Sequence, residues 1–372
     1  MRIGITLQSL HHLGGIGTYT QHIVKNLIKI DQKNEYILIY PSFGNARKSY
    51  GTFKSYPQVT EILSKSMVPH GLYWDHFVVP KLSRQYGVEV LFNPFESITL
   101  SGGFKKVFVI HNSERFIMPE VFWFFERMSG HIRMKAYLQS ADRVISVSQK
   151  VADDITQQVG IAKDKIRVIH NAPSENFKPV TNSSELGKIR EKYSLPEHFF
   201  LFVGGIYPQK NFHGLIQAYH MLARNIPHRL VIAGNLRWKA KHELDLIRRL
   251  NIEDKVQMIG WIDHQDLPAI YQLASCFVLP SFHESCSVAL LEALACGCPV
   301  IASSTGGNPE VVADAALLIN PYDLHALKHA MLRITLEPEL RQELSRRGLE
   351  RAQRFSWEKS AAATLKVLEE VH

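Results

Sequence analysis

Cysteine is scarce in this chain. Its four residues among 372, Cys276, Cys286, Cys296 and Cys298, lie in one stretch with no CxxC pair and no Cys/His cluster at zinc spacing. That excludes a disulfide scaffold and a zinc finger, and leaves reduced core thiols as the reading. No run of about eighteen apolar residues occurs, so no membrane-crossing helix is expected. The opening "MRIGITLQSL" is too short in its apolar part for a signal peptide and passes directly into a strand and a glycine turn, which makes the cytoplasm the expected compartment. There is no long basic tract, low-complexity segment or residue-level repeat. The net charge of +8, from 43 Lys and Arg against 35 Asp and Glu, is spread along the chain, so nucleic acid is not an expected partner.

What is present is apolar material for two cores, at 45% hydrophobic content. Period and punctuation give two successive α/β series. The first runs "RIGITL", glycine turn, helix, "EYILIY", "VEVLFN", "KVFVIH", a long aromatic and basic helix region, "RVISVS" and "KIRVIHN". The Pro, Ser and Asn content of "APSENFKPVTNSSELG" then marks a linker. The second series runs "FLFVGG", "RLVIAG", "VQMIGW", "CFVLPS", "PVIASS" and "ALLINP" with helices between and after. Alternation at this spacing predicts parallel sheets covered by helices on both faces. Expected domains are 1–178 and 179–356, with a terminal helix at about 357–372 packing back on the first. Two such domains in tandem would face each other across a cleft at the carboxyl ends of their strands, where open α/β sheets bind ligands.

Three stretches carry chemistry. In "LQSLHHLGGIGTYT", Gly14, Gly15 and Gly17 stand between a strand and a helix start, so backbone N–H groups would approach a phosphate or sugar closely, although a glycine turn without a ligand fits equally well. It is a poor dinucleotide fingerprint, because Tyr19 and Thr20 stand where a third glycine is needed and "EYILIY" ends without an acidic ribose ligand. "VGGIYPQKN" repeats the pattern in the second domain, with Lys210 at the next helix start, as a diphosphate ligand or a surface lysine. The third is "SFHESCSVALLEALACGCPVIAS", residues 281–303. Ser285, Cys286, Ser287 and Val288 sit where a helix begins and N–H groups are free. Glu292 lies two turns into that apolar helix, where burial costs several kcal/mol unless a partner replaces water. A neighbouring Lys or Arg would serve, as would both hydroxyls of a ribose.

"ESCSVALLEALACGCPVIAS" is similar to the E-x7-E motif of retaining glycosyltransferases of the family-four type. The flanking "GGIGTYT", "FVIHN", "ADRVISVS", "VGGIYPQKN", "VQMIGW", "CFVLPS", "GGNPEVVADAALLINPYD" and "FSWEKSA" follow in the family's order across nearly the whole chain. The resemblance implies two Rossmann-like domains in the GT-B arrangement, with a nucleotide sugar such as GDP-mannose or a UDP-hexose held mainly by the second and a glycan or lipid-linked glycan acceptor by the first. It makes Glu292 the ribose carboxylate, Glu284 the one facing the donor hexose, and Lys210 the diphosphate ligand. Gly15 and Gly17 would close over the diphosphate, and His111 would contact sugar or acceptor. One departure stands out. Gly205 occupies the place where relatives often carry an arginine, and Gln209 precedes Lys210, so neutralisation falls on Lys210, two helix termini and Arg237.

The implied reaction is retaining hexosyl transfer, for surface polysaccharide or glycoconjugate synthesis. The diphosphate leaves as an oxocarbenium-like sugar forms, so stabilising developing phosphate charge matters more than moving protons. No cofactor or metal is expected: no Asp-x-Asp motif stands where a metal would bridge the diphosphate, and Asp153–Asp154 reads as a solvated helix face. Alternatives are a sugar-nucleotide 2-epimerase of the same build, a sugar-nucleotide-binding protein without turnover and, least favoured, a nicotinamide dehydrogenase. Finally, "SERFIMPEVFWFFERMSGHIRMKAY" sets Phe116, Val121, Phe122, Trp123, Phe124 and Phe125 beside Arg115, Arg127, Arg133 and Lys135. That composition suits either a core helix or peripheral contact with an anionic membrane surface.

Overall fold

The computed structural model describes residues 1–11, 14–42, 44–66, 71–117, 124–234 and 240–372. It divides into two compact units, Met1–Asn171 with Ser356–His372, and Ala172–Phe355. The first ends at Asn171 instead of the expected 178, because the linker packs on the second unit. Phe177 is buried, its ring edge-on to His264 at 4.9 Å and to Tyr271 at 6.2 Å.

The first unit holds seven strands, β1 (Arg2–Thr6), β2 (Glu35–Tyr40), β3 (Val59–Leu63), β4 (Val90–Asn93), β5 (Lys105–Ile110), β6 (Arg143–Ser146) and β7 (Ile166–Val168). They form one parallel sheet in the order β3-β2-β1-β4-β5-β6-β7. Strand β3 is absent from the expected series: it is a sheet edge, and "VTEIL" mixes Glu and Thr with half-buried apolar residues, so its pattern is weak. The terminal helix Trp357–Val371 belongs to this unit. Ser356 caps it by accepting from the Lys359 N–H, and Trp357 buries against Tyr19 at 5.6 Å and stacks on His22 at 5.2 Å.

The second unit holds β8 (Phe199–Val203), β9 (Arg229–Ala233), β10 (Val256–Gly260), β11 (Cys276–Leu279), β12 (Val300–Ser303) and β13 (Leu317–Ile319), all parallel in the order β10-β9-β8-β11-β12-β13. "FFLFV" and "CFVL" are continuous apolar runs because helices cover both faces. The four cysteines are free thiols, all buried. Both units are therefore Rossmann-like. In each, the strand order reverses beside the first strand of the unit, between β1 and β4 and between β8 and β11.

No described helix is long and apolar enough to cross a membrane. Asp154 corrects one expectation: it is buried at 4% exposure, not solvated, accepting from Ser113 Oγ at 2.8 Å and pairing with Lys150. It pins the loop after β5. Val121, Phe122, Trp123 and Arg237 lie outside the described residues. Phe116 is core, Arg115 and Arg133 line a cavity of about 290 Å³, and Lys135 is exposed.

Candidate functional site

The second unit gathers its polar residues where the strand order reverses. After β8 the chain turns through Gly204, at φ 137°, and Gly205 to a short turn, Pro208–Lys210, and the helix Phe212–His220. A Cβ at Gly205 would meet the Tyr207 ring at 2.6 Å, so a side chain there would require that partly exposed ring to shift. Asn211, left-handed at φ 51°, holds the turn from three sides: its Oδ1 accepts from the Gly214 N–H at 3.2 Å, and its Nδ2 donates to the carbonyls of Pro280 at 3.1 Å and Pro321 at 2.8 Å. The loops after β8, β11 and β13 are thereby tied together, and Lys210 is aimed across the reversal at the loop after β11.

There Lys210 Nζ meets Glu284 Oε1 at 2.6 Å, with side chains only 20% and 11% exposed, and Ser281 Oγ donates to the same oxygen at 2.7 Å. The Glu284 backbone is held by the loop after β12: the Gly307 N–H donates to the Glu284 carbonyl at 2.7 Å. This approach requires Gly306, at φ +63°, where a Cβ would sit 2.3 Å from that carbonyl.

Ser285, Cys286 and Ser287 are all buried, at 6%, 8% and 5% exposure. Ser287 is the N-cap of the helix Val288–Ala295, yet its side chain makes no capping hydrogen bond, and the buried Ser285 hydroxyl has no partner among the described residues. The helix is Ala- and Leu-rich and closes where Gly297 takes φ +71°.

Inside it Glu292 is 7% exposed. Among the described residues no Lys or Arg answers it. Its one ion contact among these is His264 Nε2, at 3.7 Å from Oε1 and on a half-exposed side chain. Burial holds the carboxyl above its ordinary value, His264 opposing; the carboxylate in turn raises His264. The buried Tyr271 phenol also acts on the carboxylate and lowers it, as His264 does, and burial first and the Glu292 charge second hold that phenol protonated. A buried carboxylate with no Lys or Arg partner among the described residues, an orphan serine hydroxyl and an uncapped helix start thus share one segment.

In the first unit Gly14 is the N-cap of the helix Gly15–Ile30. Gly14 and Gly15 are exposed with open space where side chains would stand, whereas Gly17 is buried. His111 follows β5, 6% exposed, with Nε2 at 3.1 Å from the Pro94 carbonyl and Tyr19 edge-on at 4.8 Å. Burial lowers it to about 4, so the ring is neutral at physiological pH. The Glu96 carboxylate, itself raised by burial, accepts from the N–H groups of His111 at 2.9 Å and Asn112 at 2.6 Å.

The structure therefore joins Lys210 with Glu284, and Ser285–Val288 with Glu292, in one unit, and places Gly15, Gly17 and His111 in the other. Sequence reasoning missed Asn211, Ser281, His264, Tyr271 and Gly306. Of these, Asn211 beside a glycine turn and Gly306 between a strand and a helix carried a conformational signal; a histidine in "GWIDHQD" carried none.

The profile of the family described as Glycosyltransferase Family 4 matches residues 13–173, and that of Glycosyl transferases group 1 matches residues 187–351. The chain is 32% identical over 231 residues to the O-antigen chain mannosyltransferase B of Escherichia coli, covering 61% of this chain and 60% of that one. It is also 32% identical over 244 residues to a D-inositol 3-phosphate glycosyltransferase of Saccharomonospora viridis, covering 62% and 56%. The matched region thus spans less than two thirds of these relatives' length. Among solved structures, sucrose-phosphate synthase from Thermosynechococcus elongatus superposes with a TM-score of 0.78 at 22% identity, covering 100% of this chain and 98% of that one. Anabaena HepE in complex with UDP gives 0.77 at 18% identity, covering 100% of both. That likeness is one of fold, of the GT-B type. With adjoining profiles matched over both units, the chain belongs to the family-four glycosyltransferases.

Proposed function

We propose that this chain is a retaining hexosyltransferase that moves a hexose from a nucleotide sugar, of the GDP-mannose or UDP-hexose type, to a hydroxyl of a glycan or lipid-linked glycan. The observation that carries the reading is Glu292, a carboxylate 7% exposed that meets, among the described residues, no Lys or Arg, only a half-exposed histidine at 3.7 Å and the Tyr271 phenol. Such a group is costly unless a ligand completes it, and vicinal ribose hydroxyls suit its two oxygens. The Lys210–Glu284 pair supports the rest. A cation beside a helix start suits a diphosphate whose charge grows as it leaves, and a carboxylate one hydrogen bond away suits the hexose hydroxyls. The names of the mannosyltransferase relatives favour a mannosyl donor and a polysaccharide product.

In this mechanism Lys210 and the N–H groups at Ser287–Val288 stabilise the departing diphosphate, whose oxygen takes the acceptor proton on the face it leaves. Glu284 orients the hexose. His111, neutral and engaged through Nε2, offers only Nδ1 to a sugar. Charge neutralisation by Lys210 and the helix start needs no bridging metal. A cytoplasmic location, with peripheral contact at an anionic membrane, belongs to the same proposal: Met128 and Ile132 are exposed on the helix Phe124–Ser140 beside Arg133 and Lys135.

Calorimetric titration with a panel of GDP-, UDP-, ADP- and dTDP-hexoses tests the reading. One nucleotide class is expected to bind, and Glu292→Gln is expected to weaken it. Binding of none would overturn the reading.

A further inference from the structure

Away from Glu292, the second unit brings together three side chains that the family resemblance does not use. His213 stands in the first turn of the helix Phe212–His220, and His242 and Glu243 in the first turn of the helix Ala240–Arg249. Their ligand atoms all lie within 4.8 Å of one another. The Glu243 carboxylate sits between the two rings, with Oε2 at 3.3 Å from His213 Nδ1 and Oε1 at 3.8 Å from His242 Nδ1. The rings are near-parallel, 24° apart with centroids at 5.6 Å.

Both imidazoles turn the same nitrogen toward one carboxylate, an arrangement that charge pairing alone explains badly. Two imidazolium ions stacked at this distance would repel, so a single carboxylate is best served by one of them. A cation binding two neutral imidazoles and the carboxylate satisfies all three at once. Tetrahedral zinc, with bonds of about 2.0–2.1 Å, needs neighbouring ligand atoms about 3.3–3.4 Å apart. The His213–Glu243 pair already has that separation, and the His242 side chain, 66% exposed, is free to swing in from its 3.8 Å to Glu243 and from separations of up to 4.8 Å within the set. The three line a cavity of about 600 Å³ whose wall includes Tyr207, Phe282 and Tyr322, which leaves room for water or a small ligand in a fourth position.

We propose that His213, His242 and Glu243 form a divalent transition-metal site of the zinc class. Its metal staples the helix after β8 to the helix after β9, two residues beyond the Asn211 turn that aims Lys210. None of its three ligands is Glu292, Lys210 or Glu284, so the site is structural and does not depend on the proposed transfer reaction. The spacing in sequence hides it, since its ligands lie on separate helices and no cysteine takes part.

The test is calorimetric titration of chelator-stripped, desalted protein with zinc alone, with magnesium as the hard-cation control, together with melting curves. Expected are one zinc per chain at micromolar affinity, no magnesium uptake and a higher melting temperature with zinc. His213→Ala and His242→Ala should each weaken binding at least tenfold and remove the shift, while melting like wild type without metal. The proposal is overturned if wild type takes up no zinc. It is equally overturned if the doubly substituted protein binds as tightly, since other histidines would then be responsible.

Discussion

Replacing Glu292 by Gln separates a side chain kept for a ligand from one kept for the fold. In the unliganded protein its oxygens have little to lose that glutamine cannot keep, because the His264 contact is 3.7 Å, longer than a hydrogen bond, and the neutral Tyr271 phenol can face an amide oxygen as well. Burial raises the carboxyl above its ordinary 4.5. The folded state therefore holds this proton more tightly than the unfolded one, and the resulting stability is full below pH 4.5 and lost as pH rises through the folded value. At pH 7.5 the ionised carboxylate is a burden that glutamine lacks, so the variant should melt at the same temperature or higher. Donor binding should move the other way. One ribose hydroxyl loses a charge-assisted acceptor worth about 1.5–3 kcal/mol, which at about 1.4 kcal/mol per tenfold weakens Kd on the order of ten- to a hundredfold. Calorimetry at pH 7.5 and a melting curve on the same sample read both quantities. Wild-type affinity with a clearly lower melting temperature would refute the reasoning and make Glu292 a packing residue.

Three further outcomes are expected. Lys210→Ala should weaken binding of the free nucleoside diphosphate at least tenfold, whereas Glu284→Ala should chiefly lower kcat; an unchanged rate in the second would remove Glu284 from the site. Gly306→Ala places a Cβ 2.3 Å from the Glu284 carbonyl at a left-handed position, so turnover should fall more steeply than nucleotide affinity, and equal losses would mean general unfolding. Because burial lowers His111 to about 4, the unfolded ring takes a proton below pH 6.5 that the folded ring refuses. Wild type should thus lose about 1.5 kcal/mol between pH 6.5 and 5, the slope approaching about 1.36 kcal/mol per pH unit only below 6, that His111→Asn does not lose; matching pH profiles in urea melts would contradict this.

The two Rossmann-like units were legible because parallel strands buried on both faces write themselves as continuous runs such as "FFLFV" and "CFVL". The edge strand β3 was not, since its residues are only partly buried. For the candidate site, the glutamates, Lys210 and the helix start could be named because a charge in an apolar helix and a glycine turn are local signals. What positions them is long-range and left no such mark: Asn211 reaches the carbonyls of Pro280 and Pro321, and Gly306 approaches Glu284. The domain boundary shifted for a similar reason, since Phe177 in a loop-like linker is a core residue of the second unit. Asp154, polar in an amphipathic helix, looked solvated because its partner Ser113 lies 41 residues away.

The central claim is hexosyl transfer with retention from a donor anchored by Glu292 and Lys210. It is tested most directly by proton NMR of the first product formed from GDP-mannose or a UDP-hexose with mannoside and lipid-linked glycan acceptors, in the presence of EDTA. An α-linked product from an α-linked donor, formed at an undiminished rate with the chelator, is the result this account predicts. A β-linked product, or transfer that stops when metal is removed, would contradict it.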